Sequence, residues 1–172
     1  MEANKTVSIE ATTVIHWALV FILVTAFYLL FKGVTNVFNA FFVPLTFFFF
    51  AKGQKLEDTI LVYGGLFLFI AIFFRLQIFF TLLYFGIAIL LTHIPSDKYL
   101  SLKSTFLVSV AAGFGLWLAI IFTDDFFLTQ VNQTTLAVLN ESNFAYVILL
   151  WVEGFLISIG LIYFSEKISR FL

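Results

Sequence analysis

An all-α, polytopic membrane protein built as a six-transmembrane-helix bundle is the fold class that three observations predict. Hydrophobic residues make up 62% of the chain and charged residues only 11%, with a mean hydropathy of +1.10; a soluble domain does not carry that balance. Apolar runs of roughly spanning length follow one another along most of the sequence, parted by short polar punctuation. Basic residues also sort to one side when those runs are threaded through a bilayer. At 172 residues the chain is expected to form a single transmembrane domain, 1–172.

The first span, 14–31, follows a tail carrying Glu2 and Glu10 and has no small-residue cleavage pattern after it, so an uncleaved anchor is expected. The second, 34–51, contains Pro44 and the tract Phe47 to Phe50, which is expected to face lipid. The third and fourth, 59–74 and 76–94, would form a rod about 54 Å long if joined, too long for one crossing. A break is therefore expected near Arg75 and Gln77, either a hairpin or a re-entrant turn. The fifth, 106–122, holds Ala111 and Gly115, and the sixth, 144–164, holds Gly154 and Ser158; both pairs have the small-xxx-small spacing that lets helices approach closely. Between these two lies the one long polar segment, 123–143. Its apolar residues keep it at the membrane, as a lid over the bundle or as an interfacial connector.

Charge supports the count of six. With both termini inside, inner segments collect Lys5, Lys52, Lys55, Lys98, Lys103, Lys167 and Arg170, while outer ones hold Lys32 and Arg75, seven against two. Segment 123–143 has no Lys or Arg and falls outside. Trp17, Tyr28, Tyr63, Tyr99, Tyr146 and Tyr163 fall near the expected interfaces, where amphipathic aromatics anchor spans.

Glu153 stands near the middle of the sixth apolar run. A carboxylate at that depth costs about 2.5 to 3.5 kcal/mol, so it is expected to face protein or water and to mark function. Counting about 1.5 Å per residue along each span brings Thr25, Thr46, Tyr84 and Trp117 to a similar depth. Together with Glu153 they make a candidate ligand-binding layer, the aromatics offering stacking faces and the carboxylate a charge for an amine or a proton. Asp124, Asp125 and Asn132 are the candidate lid residues. Two other readings of Glu153 stand beside this one: interhelical hydrogen bonding, a contribution of about 0.6 to 2 kcal/mol, and contact with a partner subunit.

Several classes are disfavoured. His16 and His93 have no second ligand at helical spacing, so no metal is expected, and no cofactor motif occurs. The net charge of −1 and the lack of a basic run give nucleic acid nothing to bind. There is no cysteine for thiol chemistry. Asp124 and Asp125, as sequence neighbours, point apart on a helix, so catalysis is not expected.

Six short helices, termini inside, the Val43-Pro44 second span running into Ala51-Lys52-Gly53-Gln54-Lys55, and a long outer segment before the last span resemble the substrate-binding membrane subunit of energy-coupling-factor vitamin transporters. The resemblance implies a micronutrient held towards the outer face of a bacterial cell membrane, closed over by outer loops and released by a partner ATPase module. The chain departs from that family's docking alanines, spaced four apart on the first helix: Ala11, Ala18 and Ala26 have Ile15, Ile22 and Leu30 four residues on. Its compact loops are also similar to small scaffold subunits of cell-envelope and cell-shape machinery.

Overall fold

The computed structural model describes residues 11–31, 36–52, 54–92 and 102–164, with side chains at 11–13, 56, 57, 102 and 164 excepted. Among these residues the protein is all-helical: α1 (Ala11–Leu30), α2 (Val37–Ala51), α3 (Leu56–Phe73), α4 (Ile78–Thr92), α5 (Leu102–Phe127), α6 (Val131–Val138) and α7 (Asn143–Ile159), the last continuing as a π-helical turn, Gly160–Phe164. Three helical stretches, Arg75–Thr92, Lys103–Phe127 and Asn143–Tyr163, are long and apolar enough to cross a membrane. Val14–Leu30, Val37–Ala51 and Asp58–Phe73 are apolar but shorter. The six apolar helices expected from the sequence are thus present, three of them with full spanning length among the described residues.

The break between the third and fourth runs falls where expected. Phe74 leaves the helical region with φ −133° and ψ 46°, and a single 3₁₀ turn, Arg75–Gln77, leads into α4. The fifth run goes further than expected: α5 extends through Asp124 and Asp125 to Phe127, so the connecting segment starts only at Leu128. Within it Val131–Val138 forms α6.

Helices α2, α4, α5 and α7 close into a ring, each packed on its neighbours, and the α5–α7 pair makes the most extensive contact. Helix α1 lies outside against α2, and α3 lies beside α4. Each ring helix supplies fully buried side chains, among them Phe47, Tyr84, Leu116 and Glu153. Outward faces stay apolar, with Ile22 and Leu30 on α1, Leu61 and Ile72 on α3, and Phe114 on α5 all exposed. A surface of that kind suits acyl chains.

One aromatic expectation is overturned. Phe47 and Phe48 are buried within the bundle and do not face lipid, and Phe49 and Phe50 are half-buried. Trp17, Tyr28, Tyr63 and Tyr146 are likewise buried. Packing and hydrogen bonding account for it: Tyr28 shares a 2.7 Å hydroxyl bond with Thr81 across α1 and α4, and Tyr63 donates to the Phe47 carbonyl at 3.2 Å. The Tyr63 ring also meets Trp17, Phe47 and Phe85 at 5.4, 5.0 and 4.1 Å between centroids. Tyr163 is exposed, while Tyr99 and His93 lie outside the described residues.

Candidate functional site

The α5–α7 crossing sets the position of Glu153. Gly154 sits so close to α5 that a Cβ there would fall 2.7 Å from the Gly113 nitrogen and against the Ser109 carbonyl, and a Cβ at Gly113 would fall 3.0 Å from the Leu150 carbonyl. The small residues at this crossing are therefore Ser109 and Gly113 facing Gly154, on a different face of α5 from the expected Ala111 and Gly115. Ala111 is exposed, and Gly115 faces Leu83 of α4. Ser158 is buried and returns its hydroxyl to the Gly154 carbonyl at 3.0 Å.

Next to Gly154, Glu153 is 2% exposed. Its Oε1 has no hydrogen-bond partner among the described residues, and neither does the hydroxyl of buried Ser109 or that of Tyr146. Tyr84 on α4 and Tyr146 on α7 both lie within electrostatic range of the Glu153 carboxyl. Buried polar groups in native proteins are satisfied in the great majority of cases, and these three oxygens lie on one helix pair.

The members of the expected layer divide around this centre. Tyr84 joins Glu153. Trp117 lies one step outward, in an apolar groove of about 320 Å³ between α5 and α7 that Tyr146, Gly113, Leu150 and Trp151 also line. Tyr146 thus borders both the groove and the surroundings of the carboxyl, and depth counting missed it because it stands near the start of α7. Thr46 returns its hydroxyl to the Phe42 carbonyl of its own helix at 2.8 Å and lines a separate groove between α1 and α2. Thr25 is half-buried on α1.

The candidate lid residues also divide. Asp124 accepts from the Thr129 hydroxyl at 2.7 Å, from the Val131 N–H at 2.7 Å and from the Asn132 N–H at 2.9 Å. It thereby serves as the N-terminal cap of α6, whose own N-cap, Gln130, makes no side-chain bond. Asn132 keeps its side-chain oxygen buried and without a partner among the described residues. Asp125 is exposed. Asp124 also lies within electrostatic range of Tyr146, which ties the connecting segment to the start of α7.

Comparison with protein-family models, with curated proteins and with solved structures finds no match for this chain. What the fold and the site define is a chain of membrane type, all-helical among its described residues, with one buried, incompletely satisfied carboxyl among them beside the closely packed α5–α7 crossing.

Proposed function

We propose that the protein is a six-span integral membrane protein of the bacterial cell membrane, termini inside, that binds or passes a small solute, with Glu153 as the anchoring charge. The observation that carries the proposal is the Glu153 carboxyl, buried inside a closed ring of apolar helices with one oxygen unpartnered among the described residues. Retaining such a group costs several kcal/mol unless something compensates it, and a bound cationic or hydrogen-bonding solute does so. Tyr84 and Tyr146 stand beside it, and the neighbouring groove with Trp117, about 320 Å³, falls within the size range of small-molecule sites, about 300 to 1,000 Å³. A micronutrient-capturing subunit working with a partner ATPase is the form of this function that the architecture resembles.

The test is a thermal-shift screen of vitamins and small amines on purified protein, run on the parent and on Glu153→Gln. A true ligand at about 100 times its Kd stabilises the parent by about 2.7 kcal/mol, and the substitution should abolish that shift. A second reading, a scaffold subunit of a larger envelope assembly, draws on the neighbouring Gly154 crossing, which puts Glu153 where it could bond between helices. Under that reading Gln replaces Glu with little loss, no compound shifts the melting temperature, and stoichiometric partners copurify.

A further inference from the structure

Four buried oxygens without a partner among the described residues lie on α5, α6 and α7. Asn132 Oδ1 lies at the start of α6, Tyr146 OH near the start of α7, Glu153 Oε1 two turns further along α7, and Ser109 Oγ across from Gly154 on α5. Tyr146 and Glu153 are seven residues apart, which places them on one face of α7 about 10.5 Å apart along its axis. Tyr146 and Glu153 are 6% and 2% exposed, Ser109 is fully buried, and Asp124, at the Asn132 end, is partly exposed. Buried oxygens of this kind are ordinarily satisfied by internal water, each molecule making about three hydrogen bonds.

We infer that the α5–α6–α7 seam is a water-bridged proton path that runs from the Asp124 end of the bundle to Glu153, with Tyr146 as the intermediate carrier. The inference rests on Glu153 being the functional centre of a membrane-crossing bundle and names the proton as the ion its site exchanges. Asp124 has both carboxylate oxygens occupied by donors from Thr129, Val131 and Asn132. With its oxygens so engaged it places an acidic group at the mouth and is not assigned as a carrier. A proton arriving there passes to the Tyr146 hydroxyl oxygen while the hydroxyl releases its own proton inward through water to Glu153. The carboxylate becomes a carboxylic acid, and Tyr146 ends unchanged.

The electrostatic surroundings are simple. Helix α7 packs on α2, α5 and α6. Helix α2 has no titratable residue, and neither has α6. On α5 the described charges are Asp124 at the mouth and Lys103 and Asp125, both exposed at its ends. Tyr84 comes from α4, and Tyr163, beyond the path, is exposed. Glu153 is thus the one carboxyl that the described residues place inside the ring.

Infrared difference spectroscopy after a pH jump on the full chain in lipid tests the path. A buried carboxylic acid has a C=O band separate from those of exposed acids, and Glu153→Gln identifies it by its loss. The expected result is a Glu153 band that follows pH in the parent and responds at least about tenfold more slowly in Tyr146→Phe, a conservative figure for losing a positioned proton carrier. Ser109→Ala, which keeps the carrier, should change the amplitude or position of the band more than its rate. The absence of a titrating Glu153 band, or an unchanged rate in a Tyr146→Phe protein with parental melting temperature, overturns the inference. Should Tyr146→Phe not fold, Asp124→Asn reads the same path from its mouth, and a parental rate there is equally fatal. A solute found by thermal shift whose binding is lost in Glu153→Gln but shows no pH dependence keeps the solute reading and removes the proton path. A titrating, Tyr146-dependent band with no ligand found does the opposite.

Discussion

Two backbone positions show how single residues set this fold. Gly154 has no room for a side chain, since a Cβ would meet the Ser109 carbonyl and the Gly113 nitrogen of the facing helix. Close backbone approach of this kind is how helices gain van der Waals contact in lipid, where burial of apolar surface supplies no drive. Gly154→Ala should destabilise the bundle by about 1 to 3 kcal/mol, read as a lower melting temperature in detergent. Gly64→Ala is the matched control, because its added Cβ meets nothing within 4 Å; there the better helix propensity of alanine should hold or raise the melting temperature. Leu128 is the converse case. It ends α5 with φ 52° while Thr129 N–H reaches back to the Asp124 carbonyl at 3.2 Å, a left-handed helix end that glycine normally fills. Exposed at 90%, the leucine side chain contributes little packing, so Leu128→Gly should stabilise the protein by about 1 kcal/mol. Equal or lower stability in that variant would mean that the side chain has a contact role in lipid.

At the scale of elements, α6 is the one that depends most on a distant residue. Its eight residues are too few to be stable alone, and its first two N–H groups are satisfied by Asp124, seven residues upstream on the end of α5. Asp124→Ala should cost about 1 to 2 kcal/mol, the range of a lost N-terminal cap. Amide exchange should quicken at Val131 and Asn132 with little change in the middle of α5 or α7; uniform protection across all three helices would refute the capping role. None of this was legible in the chain, because capping rules look at the residue beside the helix, and Gln130 there is silent. Element existence was legible, since apolar runs and the polar break at Arg75 carry it. Which way each helix turns was not. Depth counting along a span supplies height but no rotation about the axis, and helices apolar on every side, such as α2 and α4, offer no stripe to fix it. For that reason Thr46 turns back to its own helix while Tyr84 lies buried within electrostatic range of Glu153, and Phe47 enters the core that composition alone would have given to lipid.

The whole molecule poses the question of how many of its helices cross. Helix α5 is long enough to cross: Lys103 and Asp125, both exposed, stand about 33 Å apart along the axis, more than the roughly 30 Å hydrocarbon core. The apolar part of α3, Asp58–Phe73, spans only about 24 Å, so its crossing requires local thinning of the bilayer or help from its flanking residues. A chain without cysteine is suited to resolving this by single-cysteine labelling in intact cells with a membrane-impermeant thiol reagent. Six spans with inner termini predict that Arg75→Cys, Asp125→Cys and Gln133→Cys are modified from outside, and that Lys52→Cys and Lys103→Cys are modified only after permeabilisation. The informative pair is Lys52 and Arg75, which bracket α3 and both stand exposed. If only the three longest helices cross, these two label from the same face while Lys103 and Asp125 still label from opposite faces. Opposite labelling of Lys52 and Arg75 establishes α3 as a span.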